Sequence, residues 1–591
     1  MAQSPYRAPL NDMRFVMAGL GGYAALAQPL QAAGFSQSLL DDVLDEAARF
    51  AERELAPIYH DADRLGVELV NGQVRIPELM KSAYTQFVAA GWPSLSGPVD
   101  YGGQGLPSFV SVPVNEMWRS ANLAFALAPM LTNAAVEALF EHGNEMLKAQ
   151  YLERLVSGAW TGTMNLTEPQ AGSDLGLVQA SAELVDGDYR LRGRKIFITW
   201  GDHDLTDNIV HFVLARTPGA PPGVKGLSLF LVPKFAPADD GTPGPANDIV
   251  TVSLERKLGI HASPTCVLSY GEREGALAYL VGEPNAGLAC MFTMMNQARL
   301  AVGVEGLGIG ERAYQKALGY ARERRQGSLP GHDGTVAIVR HPDVRRMLMT
   351  MKSLQQAMRA LAYWGALNID LGRAEGTVEY AARAAFLTPL IKGWCTETAQ
   401  EVTTLALQIH GGMGYIEETG AAQLFRDARI TTIYEGTTGI QAGDFARRKI
   451  AADGGATGRG VLAQLRGQLA ADTADAGLSG AARDRFQAAL NAAEAALDSL
   501  VEQYTNEPQR AGAVAVPALM CFGTLLGGAM LLRCVAAAAR NQQPGVGTDY
   551  LAGQAMLAEF YAAQLLPRTR AFADAVVAGG ASSTALPDAS L

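Results

Sequence analysis

The sequence predicts a mainly α-helical chain with a small central β domain, and three observations predict it. Apolar residues keep helical spacing before about residue 160 and again from about residue 287. The stretch between carries apolar runs of strand length and a two-residue Asp-Gly turn. From about residue 460 the chain becomes alanine-rich and lysine-free but stays periodic. The order read is helical segment, β domain, helical bundle, extra helical domain.

Each element has its own signal. Leu39, Val43, Phe50 and Ala51 are spaced as one helix face, as are Val136, Leu139 and Phe140, and the first 160 residues read as helical around a Pro/Gly-rich loop at 92–107. In the β domain, Asp186-Gly187 separates the runs 182–185 and 189–191 as a hairpin turn. Runs 209–215 and 227–232 are further strands, and a Pro/Gly-rich segment, 235–248, joins two blocks. Val344, Met347, Leu348, Met351, Leu354, Met358 and Leu361 form the stripe of a buried helix that Pro342 opens. A Gly/Ala-rich linker is read at 451–460. Beyond it Phe486, Leu490, Leu497, Val501 and Tyr504 mark one amphipathic helix, and Met556, Leu557, Phe560 and Leu565 another.

Composition removes several function classes. With 48% hydrophobic and 18% charged residues over 591 positions, the chain holds enough apolar material for large cores. A net charge of −11 disfavours sequence-independent nucleic-acid binding, which needs Lys and Arg against phosphates. The five cysteines are scattered without a CxxC pair, so neither a disulfide framework nor a zinc site is expected. Residues 1–20 do not read as a signal peptide, and the expectation is a cytoplasmic protein. Residues 511–532 carry no charge and are long enough to span a bilayer. They are mostly small, so a buried or interface helix is expected, with Gly523, Gly527 and Gly528 admitting close neighbours.

Three segments combine glycine, hydroxyl and charged residues. Residues 163–176 impose a turn and offer the Thr167 and Ser173 hydroxyls to a ligand, or else Ser173 and Asp174 satisfy their own backbone. Residues 408–415 expose backbone N–H groups around Gly411 and Gly412, or form a helix C-cap, with His410 a structural hydrogen-bonder. Residues 431–441 set Glu435 between an aromatic residue and a glycine, where desolvation would raise its basicity; capping-box spacings Thr432…Glu435 and Thr438…Gln441 provide the alternative.

Six motifs in order make the chain resemble the acyl-CoA dehydrogenases, flavoenzymes that place a trans α,β double bond in acyl thioesters. They are Tyr101-Gly-Gly-Gln-Gly-Leu, Leu166-Thr-Glu-Pro-Gln-Ala-Gly-Ser-Asp174, Lys195-Ile-Phe-Ile-Thr199, Lys257-Leu-Gly-Ile-His-Ala-Ser-Pro-Thr265, Ala321-Arg-Glu-Arg-Arg-Gln326 and Ile433-Tyr-Glu-Gly-Thr437. The resemblance spans about residues 38–450. The segment Tyr6 to Phe15 and the C-terminal extension resemble a larger bacterial subgroup that includes 3-methylmercaptopropionyl-CoA and long-chain acyl-CoA dehydrogenases.

The resemblance implies an N-terminal extension (1–37), an N-terminal helical domain (38–159), a middle β-barrel (160–282), a catalytic C-terminal four-helix bundle (283–450) and an extra helical domain (461–591). It implies FAD contacts from Met164, Leu166, Thr167, Ser173, Phe197, Thr199, Arg324, Gln408, Gly411, Gly412, Thr437 and Gly439. Substrate contacts fall on Ser173, Asn296, Arg299, Tyr434 and Gly436, and the segment 125–136 lines the distal acyl pocket. Glu435 matches the catalytic base; the alternative position used by some relatives is Ala298, which takes no proton. His261, Pro342 and Met164 depart from the commoner arginine, glutamine and aromatic residue.

The implied partners are an acyl-CoA and electron-transfer flavoprotein, and the implied assembly is a homodimer. Two rival readings are an acyl-CoA oxidase reducing oxygen directly and a nucleic-acid-associated flavoprotein of the alkylation-response type. From Asp453 onward nine arginines and no lysine face twelve acids, which argues against the second.

Overall fold

The computed structural model describes residues 6–28, 34–238, 241–331, 333–541 and 547–591, so the segments 1–37 and 235–248 lie partly outside the described residues. The fold is helix-rich with one sheet-bearing portion. Two compact units divide it: Arg53–Pro107 with Asn122–Ala298, and Met1–Glu52 with Ser108–Ala121 and Arg299–Leu591.

In the first unit, strands Ile249–Leu254, Thr265–Tyr270, Asp188–Thr199, Ala276–Val281, Leu227–Pro233, Ile209–Arg216 and Thr161–Asn165 are neighbours in that order. Ser181–Val185 pairs along Asp188–Thr199 and meets the Ile209–Arg216 strand at the single pair Ser181–Arg216. The Asp186-Gly187 hairpin forms as expected, with both residues at positive φ (53° and 94°), as a type I′ turn requires. Leu227–Pro233 is buried along its whole length and Ile209–Arg216 all but its last residue, which is why they read as unbroken apolar runs rather than alternations.

The reading of the first 160 residues as helical needs one correction. Glu68–Val70 and Gln73–Arg75 form a two-stranded hairpin through Asn71 (φ 51°) and Gly72 (φ 76°). Asn-Gly is itself the hairpin signal; the flanking strands are only three residues each and too short to show alternation.

The helix Gly287–Glu323 enters the second unit at Arg299. Pro342–Glu375 opens on Pro342 and buries Met347, Leu348, Met351, Leu354, Met358 and Leu361, the expected stripe. Its opposite side carries charge into the interior. Arg359, fully buried, donates to Glu116 (Nη2–Oε1 2.6 Å), Glu311 (2.9 Å) and the Gln356 side-chain oxygen Oε1 (2.6 Å), and Tyr363 donates to Glu116 at 2.6 Å. A second node follows on the same helix, where Asp12 accepts from Lys352, Gln356 and Tyr550. Residues near both chain ends thus meet one buried polar spine.

Among the described residues, two helices are long and apolar enough to cross a membrane, Leu123–His142 and Ala515–Arg540, and both are mostly buried inside the structure. The second packs as its glycines foretell. A Cβ on Gly523 would lie 2.2 Å from Trp394 Cγ, one on Gly527 2.6 Å from Trp394 Cη2, and one on Gly528 2.4 Å from Tyr561 Cε1. Gly523→Val is expected to destabilise by about 1–3 kcal/mol through overpacking. Gly460→Ala, on an exposed helix face with nothing within 4 Å, should stabilise by about 0.5–1 kcal/mol. Urea unfolding of the two variants checks this contrast.

Two expectations in the last segment are revised. Most of the 451–460 linker is structured: Gly454 and Gly455 at positive φ break the chain, Asp453 accepts from the Gly455 and Thr457 amides, and a helix begins at Ala456. Met556 is 67% exposed, whereas Gln554, Ala558, Tyr561, Ala562 and Leu565 face inward. Within the regular helix Thr548–Phe560 the inward Gln554 and Ala558 stand one turn apart, so Met556, midway between them, falls on the other side; a π-turn follows at Tyr561–Leu565.

Candidate active site

Glu435 sits in a turn between a 3₁₀ segment, Ile430–Thr432, and the helix Thr438–Gly443. Its φ of 55° is one that L side chains rarely adopt, and Gly436 follows at 86°. A non-glycine residue held there stores strain that its surroundings must sustain. They do so through hydrogen bonds: Gln441 Nε2 donates to the Glu435 carbonyl (3.0 Å), Lys392 Nζ to the Gly436 carbonyl (2.7 Å) and the Tyr434 hydroxyl to Glu305.

The capping alternative is not what forms. Thr437 is the N-cap of Thr438–Gly443, accepting from the Ile440 amide, and the Thr432 hydroxyl turns back to the Arg429 carbonyl. The Glu435 carboxylate is left for other work. Burial raises its pKa, and the positive charges of Arg299 and Lys392 act against that rise. Arg299 is buried with one nitrogen 3.8 Å from Asp444, and desolvation weakens its hold on its proton. Lys392 is pushed down to about 8 by burial, although Glu435, Glu305 and Glu397 oppose it. A half-buried carboxyl of raised pKa, with cations near it but no described group hydrogen-bonded to it, is suited to proton abstraction.

Sequence reasoning missed Glu305, Lys392 and Asp444 around this turn and read Gln441 only as a capping residue. The signal available was a lone charge inside an apolar helical run: Leu390-Ile-Lys392-Gly and Val302-Gly-Val-Glu305-Gly. Around the remaining expected contacts, Gln408, Gly411 and Gly412 are exposed at the end of Val378–His410, where Gly411 (φ 59°) is the C-cap. A Cβ on Gly411 or Gly412 would meet nothing within 4 Å, as would one on Gly439 nothing but the Thr437 hydroxyl at 3.7 Å. Arg324 is exposed just past its helix. His410 is structural as expected: Nδ1 donates to the Ala406 carbonyl (2.7 Å) and its ring stacks on Tyr320 at 4.5 Å.

In the sheet unit, Leu166, Thr167 and Thr199 are half-buried and Met164 buried, while Phe197 is 59% exposed at φ 59°. An exposed aromatic ring on a strained residue is not explained by packing. The strand is tied to the signature turn by a buried pair: Lys195 Nζ donates to Glu168 (2.7 Å) and to the Leu166 carbonyl (2.9 Å). Burial raises the Glu168 pKa, but Lys195 and the Gln179 and Ala180 amides more than offset it. Ser173 is exposed, whereas Asp174 accepts from its own turn's Gly176 amide at 2.9 Å. Asn296 is exposed on the helix Gly287–Glu323 and Ala298 is buried.

Four family models match in sequence: acyl-CoA dehydrogenase N-terminal domain over 40–159, middle domain over 163–271 and C-terminal domain over 285–450, and an acetyl-CoA dehydrogenase C-terminal-like model over 461–587. The chain belongs to the acyl-CoA dehydrogenase family. It is 46% identical over 572 residues to the 3-methylmercaptopropionyl-CoA dehydrogenase of Ruegeria pomeroyi, covering 95% of this chain and 96% of that one. It is 36% identical over 441 residues to a butyryl-CoA dehydrogenase of Syntrophomonas wolfei, covering 72% of each. An acyl-CoA dehydrogenase from Bacillus anthracis solved with FAD shares the fold, with a TM-score of 0.72 and 22% identity over 92% of this chain and 88% of that one.

Acyl-CoA dehydrogenases bind FAD, and the residues present fit such a group. The open glycine backbone at 411–412 and the exposed guanidinium of Arg324 suit a pyrophosphate; the exposed Phe197 ring and the Thr167 and Thr199 hydroxyls suit an isoalloxazine edge.

Proposed function

We propose that this acyl-CoA dehydrogenase removes the α-proton and β-hydride of an acyl-CoA thioester to give the trans-2-enoyl-CoA, with Glu435 as the base. The observation that carries the reading is the Glu435 turn: a carboxyl of raised pKa, on a residue at positive φ, whose backbone carbonyl accepts from Gln441 while no described group hydrogen-bonds its side chain. Its neighbours divide the work. Arg299 and Lys392 keep Glu435 ionised against desolvation, and the constrained turn aims the carboxylate. Bound FAD supplies the hydride acceptor. Met164, Leu166, Thr167, Ser173, Phe197, Thr199, Arg324, Gln408, Gly411, Gly412, Thr437 and Gly439 are the residues proposed to hold it; Asn296, Arg299, Tyr434 and Gly436 are proposed for the substrate.

The substrate class favoured is a short thioester of the 3-methylmercaptopropionyl type, because the relative bearing that name matches along nearly the whole chain, extension included. Fatty acyl-CoA of medium or long chain is the competing class. Electron-transfer flavoprotein is the proposed acceptor, and a homodimer the proposed assembly. An acyl-CoA panel from 3-methylmercaptopropionyl to palmitoyl, scored by anaerobic flavin bleaching, tests the substrate. The short thioether substrate should show the highest kcat/KM, and a peak at palmitoyl would overturn the choice. Rapid reoxidation of the reduced enzyme in air would favour an oxidase instead.

A further inference from the structure

Behind the Glu435 turn lies a second carboxylate that the reaction as described does not use. Glu305, on the helix Gly287–Glu323, is completely buried. Its Oε2 accepts the Tyr434 hydroxyl, and no described group donates to its Oε1. Buried carboxylates are rarely left half-satisfied without a function, because desolvation is costly. Tyr434 is the residue immediately before the base, so this hydrogen bond is one of the three tethers that hold the strained turn.

We propose that Glu305 is a positioning residue for the base: it anchors Tyr434, and so the Glu435 turn, and its own charge sets how basic Glu435 is. The proposal rests on the assignment of Glu435 as base. The groups acting on Glu305 from each packed element are Arg119 on Ser108–Ala121, Lys392 on Val378–His410, and Tyr434 and Glu435 on the turn. Burial is the largest influence and raises Glu305 to about 7; Arg119, the Tyr434 hydroxyl and Lys392 pull it down, and Glu435 adds to the rise. The sign follows. Above about pH 7 Glu305 is anionic, repels a second negative charge and makes Glu435 a stronger base; below it Glu305 is neutral and that effect is lost.

The test combines a pH profile with a spectroscopic readout independent of turnover. In Glu305→Gln the acyl-CoA bleaching rate at pH 8 should fall about 10-fold, and the acid limb of the kcat/KM profile should move down by about one pH unit. Infrared pH-difference spectra of the resting wild-type enzyme should show a buried carboxylic acid band growing as pH falls through about 7. The part of that band lost in Glu305→Gln is the Glu305 signal, and it should titrate at higher pH in Tyr434→Phe, which removes the donor. A Glu305→Gln profile superimposable on wild type at equal FAD content, or wild-type and Glu305→Gln difference spectra that coincide, would overturn the proposal. If Glu305→Gln does not fold, the wild-type band and its upward move in Tyr434→Phe decide alone. Glu435→Gln separates the two claims: full activity there removes the base assignment, whereas the Glu305 band belongs to this one.

Discussion

Glu435→Gln is expected to leave FAD bound with its visible spectrum intact while slowing flavin bleaching by acyl-CoA by about 10²–10⁴-fold. Glutamine keeps the volume and the turn, since the tethers act on the backbone at Glu435 and Gly436 and on the Tyr434 side chain, not on the Glu435 carboxylate. What it removes is a carboxylate that feels the charges of both Arg299 and Lys392. In the wild type, activity should fall on the acid side. The Glu435 pKa is raised, so the base is lost at a higher pH than an exposed carboxylate would be. Stopped-flow bleaching followed as a function of pH measures both effects. An unreduced rate in Glu435→Gln would mean that the proton leaves to another residue.

The second large effect concerns stability. Arg359→Met is expected to lower the urea midpoint of the helical unit by the equivalent of about 3–5 kcal/mol. Glu116 and Glu311, both essentially buried, would lose the guanidinium that neutralises them. Tyr363 alone would remain hydrogen-bonded to Glu116. The pH dependence has a definite sign. Burial already raises the Glu116 pKa with Arg359 present, and losing the cation raises it further. A carboxyl whose folded pKa lies above its unfolded value contributes stability that is lost as pH rises, so Arg359→Met should be less impaired in mildly acidic than in mildly alkaline buffer. Adding Glu116→Gln to Arg359→Met should recover part of the loss. Equal destabilisation at both pH values would show that volume, not charge, dominates the site.

Much of this protein is legible along its sequence because the relevant signals are local. The Asp186-Gly187 turn, the Pro342 helix start and the Met347–Leu361 stripe each need only neighbouring residues, and the structure reproduces all three. The glycines of the apolar stretch also spoke correctly: Gly523 and Gly527 admit Trp394. Where local signals were short or overwritten they failed. The Asn71-Gly72 hairpin has strands of three residues, and Met556 falls on the side of its helix away from the buried Gln554 and Ala558.

The motif around Glu435 named the base, since a carboxyl between an aromatic residue and a glycine is readable as a string. Its surroundings came only with the tertiary structure. Arg119, Arg299, Glu305, Lys392 and Asp444 come from four separate stretches of chain. Arg359 likewise gathers Glu116 from 243 residues away and Glu311 from 48. Secondary structure and turn chemistry depend on neighbours within a few positions, so sequence determines them. The desolvation and charge balance that decide what a carboxylate does depend on groups far apart in the chain, and only folding sets those distances.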